Sequence, residues 1–105
     1  MTTVTFLKQG DLLLGFTACG HSGYAEEGED IVCSAISSAT IMTANTITDV
    51  LKIKANVTVG DGSLELELPQ NEAEKADAVM QGLLLHMNAL KEQYSKHIKL
   101  KFSEV

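Results

Sequence analysis

The chain has 105 residues, 45% of them apolar and 21% charged, which suits one globular domain and is too short for two of usual size. Fourteen acidic against eight basic residues leave a net charge of −6, and the lysines gather only in the tail KHIKLKF, which weighs against direct nucleic-acid binding. The N-terminus lacks a basic leader with a cleavage site, and no apolar run approaches the ~20 residues that cross a bilayer, so the expectation is a cytoplasmic protein with no membrane partner.

Thr3 to Lys8 and Asp11 to Cys19, rich in β-branched and large apolar residues and parted by Gln9-Gly10, predict a hairpin. After the glycine-punctuated stretch from Gly20 to Gly28, apolar or small residues at Ile36, Ala39, Thr43, Ile47, Val50 and Leu51 predict a helix from about Asp30 to Leu51. Its many β-branched residues are mediocre helix formers, so burial against a sheet must hold it. Asp30 is the expected N-cap, with Ile31, Val32 and Cys33 as the first three helical positions.

Ala55 to Val59 and Ser63 to Leu68 flank Gly60-Asp61-Gly62 and predict a second hairpin. The recurrence of Ala76, Met80, Leu83, Met87, Leu90 and Tyr94 predicts an amphipathic helix over Glu72 to Tyr94. His97 to Phe102 alternates and predicts a last strand with Ile98, Leu100 and Phe102 facing the core. The order is β-β-α-β-β-α-β, an α+β fold with a mixed or antiparallel sheet carrying two helices in one domain over residues 1–105.

Chemistry concentrates between Ala18 and Ser38. A thiol in the first turn of a helix lies near unpaired N–H groups and the positive end of the helix dipole, an environment that favours thiolate. His21, after the second strand, could be folded back beside Cys33, and a Cys/His pair is the minimum for nucleophilic acyl transfer, with the N–H groups of Ile31 to Cys33 available to a developing oxyanion. Gly20, Gly23 and Gly28 would let the loop close over a peptide, Glu26, Glu27, Glu29 and Asp30 would favour a basic one, and the Gly20 to Gly28 segment is expected to be the most mobile of the chain. Other readings stay open: a small buried Cys with a locally bonded His, or zinc on Cys19, His21 and Cys33 with His86 or His97 as fourth ligand, although no C-x2-C knuckle is present. A Cys19 to Cys33 disulfide does not suit a reducing compartment.

The residues Gly20-His21-Ser22, Gly28 and Asp30-Ile31-Val32-Cys33-Ser34-Ala35, followed by Ser37, resemble the bacterial ribosomal-processing cysteine protease family Prp. The sequence departs from the usual pattern at Ser22 and Ser34, where the family commonly has alanine. The resemblance implies a cytoplasmic endopeptidase, often homodimeric, that needs no cofactor or metal and removes a short N-terminal extension from a large-subunit ribosomal protein precursor, cutting after an aromatic pair. Carried across by position, it implies Cys33 as nucleophile and His21 as general base and acid, with Asp30, Ser37 and Gly20 supporting the site and Ser22, Gly23 and Gly28 in the substrate loop. The competing class is a non-enzymatic, ribosome-associated module that binds a basic protein through its acidic face.

Overall fold

The computed structural model describes residues 1–20 and 29–105. Strand β1 (Thr2–Gln9) turns through Gly10-Asp11 into β2 (Leu12–Cys19), with Gly10 at φ +61, in the left-handed region that favours glycine. Helix α1 (Glu29–Asn45) continues into a π-helical turn, Thr46–Val50. β3 (Asn56–Gly60) and β4 (Ser63–Glu67) form the second hairpin, a 3-10 stretch (Gln70–Ala76) leads into α2 (Asp77–Gln93), and β5 (Ile98–Glu104) closes the chain.

The five strands form one sheet in the order β3-β4-β2-β1-β5; β5 runs parallel to β1 and every other pair is antiparallel. The predicted α+β architecture with its β-β-α-β-β-α-β order is what the chain adopts. Alternation along β1 puts Val4 and Phe6 into the core, together with Phe16 and Ala18 of β2 and Leu66 of β4. Val32, Ile36, Ala44 and Ile47 from the first helical segment, and Met80, Leu83, Met87 and Leu90 from α2, complete that core.

Several details differ from expectation. The first helix is not α-helical to Leu51: it ends on a π turn closed by the Leu51 N–H donating to the Thr46 carbonyl, 2.8 Å, so Val50 and Leu51 leave the predicted stripe and stand exposed. Burial of Val32, Ile36, Ala44 and Ile47 holds so β-branched a helix, and four of its threonines satisfy their own hydroxyls. Thr40, Thr43, Thr46 and Thr48 each donate their hydroxyl to the carbonyl four residues back, at 2.7–3.1 Å, so Thr40 and Thr43 can be buried with no loose polar group. The expectation that no stretch is apolar enough to span a bilayer also needs correcting, because Ile31–Val50 reaches that length with a mean hydropathy of 1.3. Its Val32, Ile36 and Ile47 nevertheless belong to the core beneath the sheet.

The second helix begins as 3-10 and becomes α only at Asp77. Phe102 is half exposed, because β5 is an edge strand and extends past α2's cover; it stacks on Phe6, centroids 6.2 Å apart, with the Lys8 ammonium 5.5 Å above its ring. Glu104, just beyond, accepts the Gly10 N–H at 2.9 Å and ties the last strand to the first turn.

Gly15 is buried in mid-β2 where the backbone of β4 crosses close by; a Cβ there would overlap the Leu66 carbonyl oxygen. Gly15→Ala is expected to destabilise the protein by about 1–3 kcal/mol in urea unfolding, as overpacking against backbone does. Gly82, exposed in α2 with open space around it, is the control: Gly82→Ala is expected to raise stability by about 0.5–1 kcal/mol through helix propensity.

Candidate active site

The strand register lays out rows of side chains on the helix-bearing face of the sheet. One row joins Phe6, Phe16, Leu66 and Val57; the next joins Val4, Ala18, Leu64 and Val59. One step further, past the paired ends of the strands, come Thr2, Gly20 and Gly62, with the Gly20 N–H donating to the Gly62 carbonyl at 3.3 Å. Side chains therefore shrink along β2 from phenylalanine to alanine to glycine. Beneath α1 this leaves a groove of about 530 Å³, floored by Ala18, Gly20, Gly62 and Leu64.

The wall of the groove is one stripe of α1, Cys33, Ile36, Ser37, Thr40 and Ile41, spaced at the three- and four-residue steps that share a helix face. Val59 forms the far rim. Ile41 and Val59 are more than half exposed, so the groove opens to solvent with apolar walls. Cys33 stands half-buried at the glycine end, its sulfur 3.4 Å from the Thr2 hydroxyl.

Gly20 is required twice over. Its φ of +107 is costly for any residue with a side chain, and a Cβ would lie 2.8 Å from the Met1 carbonyl oxygen. Its own carbonyl accepts the Thr2 hydroxyl at 3.3 Å. The chain thus leaves the groove's mouth at Gly20 and returns as α1 at Glu29.

Of the residues singled out in the sequence, Cys19, Gly20, Cys33 and Ser37 come together along this groove. His21, Ser22, Gly23 and Gly28, and with them the closing loop expected between Gly20 and Gly28, lie outside the described residues. Asp30 is within the helix rather than its N-cap, since α1 begins at Glu29. Cys33 is accordingly the fifth helical residue, not the third. By the i to i−4 ladder its N–H pairs with the Glu29 carbonyl, so the unpaired amides of the first turn stop short of Cys33, and the helix dipole acts on its sulfur from two residues further away than expected.

Cys19 ends β2 opposite Thr3; its side chain alternates with that of Ala18 and is exposed, and the residue borders the groove at its edge. Both cysteines are free thiols. His86, exposed on α2, and His97, before β5, do not line the groove, and no cluster of three or more metal-ligating side chains occurs among the described residues. Thr2, Ile41, Val59 and Gly62 were not singled out by the sequence, because they reach the site through sheet register and helix seating that no local motif announces.

The family model for cysteine protease Prp matches residues 1–99. Ribosomal processing cysteine protease Prp of Bacillus subtilis (strain 168) is 22% identical over 94 residues, which are 84% of this chain and 84% of the relative. The protein of the same name from Staphylococcus aureus (strain Mu50 / ATCC 700699) is 24% identical over 85 residues, 79% of this chain and 80% of the relative. The fold is similar to the crystal structure of an essential ribosomal processing protease Prp from S. aureus in complex with a substrate peptide, with a TM-score of 0.89, 21% identity, and coverage of 98% of this chain and 100% of that one. It is likewise similar to SMU.848 from Streptococcus mutans, with a TM-score of 0.86, 23% identity, and coverage of 100% and 96%. The structures establish the fold, and the family match over nearly the whole length establishes kinship: the chain belongs to the Prp family of ribosomal-processing cysteine proteases.

Proposed function

We propose that this protein is a cytoplasmic endopeptidase that removes a short N-terminal extension from a large-subunit ribosomal protein precursor, with Cys33 as nucleophile and His21 as general base and acid. The observation that carries the reading is the half-buried Cys33 sulfur at the open mouth of an apolar groove. A groove of about 530 Å³ walled by Ile36, Ile41, Val59 and Leu64 has room for the large apolar side chains of a peptide, such as an aromatic pair. The net charge of −6 suits a basic substrate and hastens its approach. That one structural relative was crystallised with a substrate peptide supports the same reading.

In this mechanism the Cys33 thiol gives its proton to His21, and the sulfur attacks the scissile carbonyl carbon. The C–N bond breaks as His21 returns the proton to the leaving amine, and a thioester remains. Water, losing a proton to His21, then opens the thioester, and that proton restores the thiol. Gly20, the residue before His21 in the chain, lines the groove, and the first-turn amides of α1 up to Ile31 are the candidate oxyanion donors. Ser37, one turn beyond Cys33 on the same stripe, would border the bound peptide. No cofactor or metal takes part in these steps.

The homodimer implied by the resemblance belongs to the same proposal. Beyond the groove wall, Met42 and Val50 of the first helical segment are 65% and 72% exposed, an apolar face that a second copy would cover.

The founding test is incubation of the protein, and of Cys33→Ala, with a peptide copying the N-terminal extension of the same organism's ribosomal protein, read by mass spectrometry. A single cut by the parent alone is expected. Equal cutting by Cys33→Ala would end the nucleophile assignment, and binding without a cut by either would favour the non-enzymatic module. Ala18→Leu, which fills the groove floor, is expected to raise KM about tenfold or more while Cys33 remains open to iodoacetamide, as loss of an apolar subsite would do; unchanged KM would place the peptide elsewhere. Met42→Glu is expected to turn a dimer into a monomer in sedimentation equilibrium, and an unaltered mass would move the interface away from this face.

A further inference from the structure

The Thr2 side chain bridges two functional elements that are distant in sequence. Its hydroxyl donates to the Gly20 carbonyl at 3.3 Å and lies 3.4 Å from Cys33 Sγ, within hydrogen-bond range for sulfur. Thr2 is only 6% exposed, so bulk water does not take the place of either partner. Its backbone is fixed along β5: the Thr2 N–H donates to the His97 carbonyl at 2.9 Å, and Thr2 is register partner to Ile98. β-Branching further restricts its side-chain rotation.

A threonine hydroxyl has one proton to give and two lone pairs to receive. With Cys33 neutral, the thiol donates to Thr2 Oγ1, which donates onward to Gly20. Once the thiol has lost its proton it can only accept, and the Thr2 hydroxyl can turn its own proton to the sulfur. A hydrogen bond to an ionised partner is the stronger of the two. Replacing the hydroxyl by a methyl group would therefore penalise thiolate more than thiol.

We propose that Thr2 is a positioning residue for the cleavage reaction: its hydroxyl fixes the Cys33 sulfur at the groove's mouth and favours the thiolate by donating to it. This deepens the assignment of Cys33 as nucleophile and rests on it. No bond to the Thr2 oxygen is made or broken; the thiol proton goes to the general base, and the hydroxyl keeps its own. When the sulfur becomes a thioester it is a poor acceptor, and the hydroxyl turns back to the Gly20 carbonyl, directly before His21 in the chain. Thr2 thus couples the state of the sulfur to the Gly20 backbone.

The test compares the parent with Thr2→Val, which keeps shape and strand propensity, and Thr2→Ser, which keeps the hydroxyl. Alkylation by iodoacetamide is followed between about pH 6 and pH 9, where thiols ionise, and quantified at each cysteine by mass spectrometry. Exposed Cys19 serves as reference within the same molecule. Thr2→Val is expected to slow Cys33 alkylation near neutrality about tenfold and displace its pH profile upward, the size of effect that loss of a hydrogen bond to a charged group gives. Cys19 should be unaffected, Thr2→Ser should return to within about twofold of the parent, and kcat on the extension peptide should fall in Thr2→Val with KM held. If valine unsettles the fold by circular dichroism, Thr2→Ala is read in its place. Superimposable Cys33 profiles for parent and Thr2→Val, or a Thr2→Ser as slow as Thr2→Val, would overturn the proposal. Cleavage by Cys33→Ala would sink the nucleophile assignment instead, and the alkylation profiles would still report whether Thr2 governs the sulfur.

Discussion

The seating of α1 on strands whose side chains dwindle in size is the constraint on which everything else rests. At the Phe6 and Phe16 end, aromatic bulk meets Ile47, Met80 and Met87 and makes a dry core. At the Gly20 and Gly62 end the glycines offer no side chain to the helix, which Thr2 meets at Cys33. A single rigid helix cannot sag into that space, so the same contact that stabilises the domain leaves a groove at its other end. Core and cleft are thus two ends of one interface, and Cys33 is placed at the open end by its position on the helix.

Much of this architecture is legible in the residues. Gly10 and the Gly60-Asp61-Gly62 turn announce the hairpins, and the spacing of Met80, Leu83, Met87 and Leu90 announces α2. Cys33 at a helix start beside a glycine-rich stretch is also visible. Less legible is the depth at which a helix begins: Asp30 is a good cap by composition, yet α1 starts at Glu29 and Cys33 moves into the ladder. The threonine back-bonds are equally hidden, because a propensity scale counts Thr40 and Thr43 as weak helix formers and does not see their hydroxyls satisfied by Ile36 and Ala39. Phe102 reads as a core residue by alternation, but alternation gives the face and not the distance to the sheet's edge.

The groove lining is the part that local patterns hold least. Thr2 and Gly20 come together only because β1 pairs with β2, and Gly62 joins them only because β4 pairs on the other side. Val59 reads as one more alternating strand residue until the β3 to β4 hairpin places it across from Ile41. Ala18 would pass for a filler residue in a strand. Its small size has consequence only in the row it shares with Val4 and Leu64.

The parallel pairing of β1 with β5 carries a consequence for the order of events during synthesis. β1 precedes β5 by the length of the domain, so Thr2 lacks its neighbour Ile98 until all the other strands and both helices have been made. A half-made chain can form the β1 to β2 hairpin and α1, and hence possess the cysteine, without the strand that fixes the edge of its site. Loop closure over so long a span is slow relative to local hairpins. The groove edge is therefore finished only once β5 has been made and has paired with β1.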